Sequence, residues 1–232
     1  MKILVIIPAR GGSKGIKDKN IIDVCGKPLI QYSIDKSLEL KESGLIDQVI
    51  ISTDSQLIAD VGIKLGAKVP FLRPKNISGD KAKSIDFILH ALEFFEEQNI
   101  FYDAVLLLQP TSPLRTTELL KKAIQLMKNS MAKSLISCYR EEYINDLVMY
   151  KNQESNNQLI PLNENHNKGV RRQDHGDIFV RNGAVYLTKT SFLKDSKQII
   201  CDTPLLLEMK KSESTNIDSY EDLEILKRIL CV

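Results

Sequence analysis

The chain predicts an α/β domain, a mainly parallel β-sheet with helices on both faces. Three observations carry that prediction. Strand-like and helix-like segments alternate through the first half of the chain, the pattern of βαβ units. The strand candidates are continuous apolar runs, as strands buried on both faces must be. Glycines, cations and polar residues gather just after the strands, where such sheets bind ligands. With 232 residues, 43% of them hydrophobic, residues 1–232 suffice for a single domain with its own core.

Taken in order, Ile3-Leu4-Val5-Ile6-Ile7 is a short β-branched run closed by Pro8, a buried strand. Residues 28–41 follow as a helix with Leu29, Ile30, Ile34 and Leu38 on one face. Gln48 to Ser52 is a second strand ending in Thr53-Asp54, and residues 55–65 form a helix stopped by Gly66. Lys68-Val69-Pro70-Phe71 reads as a short edge strand, where proline is tolerated. Residues 84–98 are the strongest helix, and Ala104 to Leu108 a further buried strand leading into Gln109-Pro110-Thr111-Ser112-Pro113. Thr116 or Thr117 caps the helix that runs to about Lys128.

After Lys133 the rhythm breaks. Ser134 to Cys138 reads as a strand, and residues 139–180 as an excursion from the sheet, polar and asparagine-rich in its middle. Excursions of this size often serve as lids or subunit contacts. Phe179-Val180 and Ala184 to Leu187 read as strand pieces around Arg181-Asn182-Gly183. Pro204 to Met209 is a last strand, and a final helix capped at Asp218 or Ser219 closes the chain.

The chemistry concentrates in the loop after the first strand, where Arg10, Gly11, Gly12, Ser13, Lys14, Gly15, Lys17, Lys19 and Asn20 fall together. Glycines let backbone N–H groups approach an anion, and Arg and Lys supply the charge that phosphate needs. No register satisfies the P-loop pattern Gly-x-x-x-x-Gly-Lys-Ser/Thr, and the dinucleotide spacing Gly-x-Gly-x-x-Gly is absent too. The plain alternative is a solvated basic turn, which leaves the loop's length and glycine content without a reason.

Elsewhere, Asn216 and Asp218 stand before the last helix at a spacing that could share a hard cation such as Mg²⁺, while Asp218 could equally be only the helix cap. Arg171-Arg172-Gln173-Asp174 suits a carboxylate ligand or a solvated turn. Arg73 is a loop candidate for a phosphate or base contact. His90 reads as structural, and His166 and His175 have no nucleophile to serve, so no Ser/His/Asp set arises.

Composition sets the outer bounds. Lys and Arg number 32 against 30 Asp and Glu, a net charge of +2, which gives no bulk attraction to nucleic acid or membrane. Cys25, Cys138, Cys201 and Cys231 are scattered without zinc-site spacing, and reduced thiols in a cytoplasmic protein are the expectation. The opening strand is too short for a signal-peptide core or a membrane span.

Several blocks resemble the acylneuraminate cytidylyltransferases, with the legionaminate, pseudaminate and Kdo cytidylyltransferases as kin. They are residues 7–15 with Lys19-Asn20, Ile51 to Asp54, Leu72-Arg73-Pro74, residues 108–115, residues 181–186 and Asn216-Ile217-Asp218, in family order across nearly the whole chain. The resemblance implies a Rossmann-like nucleotidyltransferase fold and the joining of CTP to the anomeric hydroxyl of a keto-sugar acid. Pyrophosphate is released, with Mg²⁺ as cofactor. It implies that Arg10, Ser13 and Lys14 hold the triphosphate on the loop built by Gly11 and Gly12, with Arg10 and Lys14 stabilising charge at the α-phosphate. Lys19, Asn20, Arg73 and Ser84 would complete the nucleotide site. Gln109, Thr111, Arg172, Gln173 and Asn182 would line the acceptor site, and the excursion would pack in a homodimer.

Sialic acid members commonly carry Asp-Ile-Asp where this chain has Asn216-Ile217-Asp218; an amide is an uncharged, weaker ligand, so the metal role rests mainly on Asp218. Residues 109–113 favour a sialic-type acceptor over Kdo, whose enzymes place an aspartate near that point. Legionaminic, pseudaminic and Kdo-type acids remain alternatives, and so, in another class, does a non-catalytic nucleotide-sugar binding protein.

Overall fold

A computed structural model describes residues 1–13, 15–153, 158–169 and 176–231. Strand β1 (Ile3–Pro8) lies between β4 (Gln48–Ser52) and β5 (Ala104–Leu107), parallel to both. Its position explains its composition. Ile3, Val5 and Ile7 point into one core with Ile30 and Ile34 of α1 (Leu29–Glu42) and Leu120 and Ile124 of α4 (Thr117–Lys128). Leu4 and Ile6 point the other way, to Ile88 and Leu92 of α3 (Ser84–Glu96). The five apolar side chains from Ile3 to Ile7 are fully buried, and truncating an isoleucine or Leu4 to alanine should cost about 2–5 kcal/mol.

Among the described residues the main sheet has six strands, in the order β10–β6–β9–β5–β1–β4. The mainly parallel expectation holds except for β9 (Ile178–Lys189), which runs antiparallel between β5 and β6 (Ser134–Glu141), while β10 (Leu205–Met209) is parallel to β6. The chain leaves β6 into the excursion and returns reversed, as in a long hairpin. The two strand pieces anticipated around residues 181–183 are one strand with a local irregularity. Its register against β6 shifts between Ile136 and Cys138, and Gly183 there takes a φ of 75°. Residues 68–72 form only two isolated parallel bridges to the edge of β4 rather than a strand, since Pro70 has no N–H to give.

Helix α2 (Gln56–Lys64) and the first-half helices fall where the periodicity puts them. Three small elements have no strong sequence pattern: the hairpin β2–β3 (Asp23–Val24, Lys27–Pro28), the excursion hairpin β7–β8 (Tyr150–Gln153, Gln158–Pro161) and α5 (Thr190–Ser196).

A third core lies beside the strand ends. Ile16, Val24, Leu29 and Ile217 pack there with Leu223 and Leu226 of the last helix, α6 (Tyr220–Leu230). Here the expectation of reduced thiols is corrected in part. Cys25 and Cys231 form a disulfide, with Cα atoms 5.5 Å apart, joining the β2–β3 turn to the end of α6. Scattered positions gave no hint of it, because the pairing is created by α6 folding back. Cys138 and Cys201 are free. No described helix is long and apolar enough to cross a membrane.

Candidate active site

A cavity of about 390 Å³ opens across the carboxyl ends of β1 and β5, the place where open α/β sheets take ligands. Its first wall is the loop after β1. The loop is held at both edges: Gly11 N–H donates to Asp54 Oδ1 at 2.8 Å, and Asn20 Nδ2 donates to the Arg10 carbonyl at 3.0 Å. Gly12 has a φ of 66°, in the left-handed region that favours glycine. At Gly15 a Cβ would stand 2.5 Å from the Asp218 carbonyl oxygen, so only glycine lets the loop pass. The Arg10 guanidinium reaches across the cavity mouth to Asp80, with Nη1 and Oδ1 2.5 Å apart. Ser13 lines the same wall.

Asp218 stands beside this loop. The sequence left it as metal ligand or helix cap, and the cap is Ser219, whose hydroxyl accepts from Asp222 N–H in a capping box. The Asp218 carboxylate is thus left to the cavity. It accepts from Lys19 Nζ at 3.0 Å on one oxygen and from Asn216 Nδ2 at 2.6 Å on the other. Asn216 therefore supports Asp218 through its amide nitrogen in this arrangement. Among the described residues no cluster of three His, Cys, Asp or Glu side chains could cage a metal. One exposed carboxylate beside a loop rich in glycines and cations nonetheless fits Mg²⁺, which keeps most of its waters and draws its remaining ligands from substrate phosphates.

The far end of the cavity is built on Arg73, only 5% exposed. Its Nε donates to Ser52 Oγ at 3.1 Å, Nη2 donates to the Ser52 carbonyl, and the guanidinium lies 4.4 Å from the centre of the Phe87 ring. Burial pushes its pKa down to about 10, with Arg10 pressing the same way and Asp54 opposing. It stays charged near neutrality. Ser84, at the start of α3, lines this end too.

Gln109 and Thr111 form the remaining wall on a turn closed by Ser112 N–H to the Gln109 carbonyl, with Pro110 fixing its second position. The Thr111 carbonyl accepts from Ile217 N–H at 2.8 Å, tying this wall to the segment that carries Asp218.

The cavity thus gathers Arg10, Ser13, Lys19, Asn20, Arg73, Ser84, Gln109, Thr111 and Asp218, separated by as many as 208 positions in the chain. Asn182 does not line it. Its amide is spent on Ser137 Oγ, Ala184 N–H, Ser214 Oγ and Met209 Sδ, which hold the irregular part of β9. Lys14, Arg172 and Gln173 lie outside the described residues. Sequence reasoning missed Asp80 and Phe87 altogether and gave Asp54 no role. Only their distant partners define them; the one available signal was Asp54 ending a strand beside the glycine loop. His90 packs edge-on to Phe71, away from this chemistry.

A cation-lined cavity at the strand ends of an open α/β sheet defines a protein built to bind a polyanionic ligand. Comparison narrows the class: the chain belongs to the cytidylyltransferase family, whose model matches residues 4–225. It is a nucleotidyl-transferring enzyme. A pseudaminic acid cytidylyltransferase from Campylobacter jejuni is 38% identical over 227 residues, covering 98% of this chain and 95% of the relative. A CMP-N,N'-diacetyllegionaminic acid synthase from Legionella pneumophila is 33% identical, covering 99% and 97%. An N-acylneuraminate cytidylyltransferase from Escherichia coli is also 33% identical, but this chain spans 51% of its length. In fold, the chain matches a CMP:2-keto-3-deoxy-manno-octonic acid synthetase complexed with CTP, with TM-score 0.72 at 16% identity, covering 100% and 99%.

Proposed function

We propose that this enzyme transfers CMP from CTP to the anomeric hydroxyl of a nonulosonic acid, with pseudaminic acid as the acceptor. The observation that carries the reaction is one cavity lined by Arg10 and Lys19 of the glycine loop, by Asp218 beside it and by the Gln109–Thr111 turn. The acceptor rests on the 38% identity to a pseudaminic acid cytidylyltransferase. Legionaminic and neuraminic acids, named for the relatives at 33%, are the competitors.

In this reading the acceptor's anomeric oxygen forms a bond to the α-phosphorus as the bond to the pyrophosphate oxygen breaks. The hydroxyl proton passes to water or to the departing pyrophosphate. Such transfer needs positioning and charge neutralisation more than a protein nucleophile. Arg10, Ser13 and Lys14 hold the triphosphate, and Arg10 and Lys14 offset charge at the α-phosphate. Asn20, Arg73 and Ser84 place the cytidine. Asp218, steadied by Lys19 and Asn216, would hold Mg²⁺, which would supply positive charge to neutralise the phosphates. Gln109 and Thr111 receive the acceptor, with Arg172 and Gln173 supplied from the excursion.

That excursion exposes Tyr143, Ile144, Val148, Leu159 and Ile160, a surface suited to a second copy of the chain. A homodimer should therefore appear in sedimentation, and charged substitutions at Ile144 and Leu159 should split it.

The activity is tested by pyrophosphate release from CTP and Mg²⁺ with pseudaminic, legionaminic, neuraminic and Kdo acids. Release with none of them would sink the proposal; CTP binding without product over hours would mark a binding protein instead.

A further inference from the structure

Arg115 ends the block at residues 108–115, yet it touches no part of the cavity surface and the mechanism above gives it nothing to do. It is 3% exposed. Its Nη1 donates to the Gln109 carbonyl at 2.8 Å and to the Ala184 carbonyl at 3.0 Å, and Nη2 donates to Ser33 Oγ of α1. Nε has no partner among the described residues. No described carboxylate pairs with it, and burial alone pushes its pKa down to about 9. A guanidinium buried among neutral groups is costly, and a hydrophobic side chain of similar volume would fill the space at less cost.

What the charge holds is specific. The Gln109 carbonyl is the acceptor that closes the Gln109–Ser112 turn, so Arg115 and Ser112 N–H grip the same oxygen. The Ala184 carbonyl belongs to β9 directly after Gly183, against which the Gln109 side chain sits, its Oε1 3.6 Å from where a Gly183 Cβ would stand. One guanidinium edge therefore fixes the Gln109 main chain and the surface that receives the Gln109 side chain.

We infer that Arg115 is a positioning residue for the acceptor: its buried cation clamps the Gln109–Thr111 turn to β9 and sets the sugar-acid wall of the cavity. The inference rests on the proposed function and adds to it a residue that never meets the substrate. Arg10, Asn20 and Arg73 make no hydrogen bond to the clamp, so CTP binding should not depend on it.

The test is a steady-state comparison of wild type, Arg115→Met and Arg115→Lys with the acid that turns over in the panel. Arg115→Met should raise the acceptor KM at least tenfold while the CTP Kd stays within about threefold of wild type. Arg115→Lys keeps the charge only while the buried amine is protonated, and burial lowers a lysine pKa. Its acceptor KM should be near that of wild type at pH 6 and rise steeply toward pH 9, where wild type changes less. A space-filling role would show no such pH dependence. If Arg115→Met does not fold, Ser33→Ala carries the test, with at least a threefold rise in acceptor KM and an unmoved CTP Kd. Parallel losses for both substrates, or an unmoved acceptor KM, overturn the inference. Absence of turnover in wild type would instead overturn the proposed function, so the two failures are distinct.

Discussion

Replacing Asp80 by asparagine should tighten CTP binding, while replacing Arg10 by alanine should weaken it. Both follow from one contact. With Arg10 Nη1 2.5 Å from Asp80 Oδ1, the cation proposed to meet the triphosphate is already engaged by a carboxylate. The two side chains are 35% and 40% exposed, so the pair itself is worth about 0.2–1 kcal/mol. A carboxylate left near the polyphosphate adds a repulsion on the order of 1 kcal/mol per charge at 4 Å in a water-like medium. CTP must break the first and suffer part of the second. Removing the charge should therefore gain about 1 kcal/mol, roughly fivefold in Kd. The amide keeps a weaker hold on Arg10, which limits the gain. Arg10→Ala removes a charge-assisted contact worth about 1.5–3 kcal/mol, a loss of tenfold or more. Calorimetric titration with CTP and Mg²⁺, acceptor omitted, measures both, at 50 and 300 mM salt. The Asp80→Asn gain should shrink at the higher salt, since the charges are exposed. Weaker binding by Asp80→Asn would refute the reasoning and make Asp80 an aid to Arg10 rather than its competitor. Arg10→Ala turnover within tenfold of wild type would remove Arg10 from the triphosphate site.

Gly15→Ala should cut turnover more than tenfold, because the new methyl meets the Asp218 carbonyl at 2.5 Å; wild-type turnover in this variant would show the loop and the Asp218 segment to be independent. Cys231→Ser, or a reductant, should lower the melting temperature. The disulfide closes a ring across a sequence separation of 206, for which chain entropy gives about 5 kcal/mol as an upper figure. Wild type that melts identically with and without reductant would argue against the bond in solution. Glu141 accepts from Lys211 Nζ and from the N–H groups of Tyr143 and Ile144, which lower its pKa to about 2. Its folded value lies below the unfolded one. The stabilisation is therefore full above about pH 4.5 and lost as pH falls toward 2. Glu141→Gln should flatten that part of the urea-midpoint profile, and an unchanged slope would assign it to other carboxylates.

The fold was legible where one physical signal dominated. Continuous apolar runs such as Ile3–Ile7 are diagnostic because both sheet faces are covered, and α3 announces itself by its apolar stripe. The reversal of β9 was hidden because its direction depends on where the excursion returns, and no local pattern records that. The glycine loop could be read from composition as a candidate anion site, since glycine and guanidinium chemistry are properties of single residues. Asp80, Phe87 and the Cys25–Cys231 bond were not, because each acquires meaning only from a partner 14 or more positions away. Asp218 lay between these cases. Its spacing allowed cap or ligand, and only the geometry of Ser219 and Asp222 released its carboxylate.

That release depends in turn on the third core. Ile16 follows Gly15 in the glycine loop, and Ile217 precedes Asp218; both are fully buried in the same cluster with Leu223 and Leu226 of α6. The loop and the carboxylate therefore owe their separation to apolar side chains that point away from the cavity. Ile217 is gripped further by its N–H bond to Thr111. An exposed carboxylate held only by Lys19 and Asn216 would wander, because surface ion pairs are weak. Anchored by its neighbour, it stays at the cavity edge whether or not those contacts persist. The glycine loop, the Asp218 segment and the Gln109–Thr111 turn thus meet on one apolar plug, and α6, though no part of the cavity wall, is what keeps that plug in place.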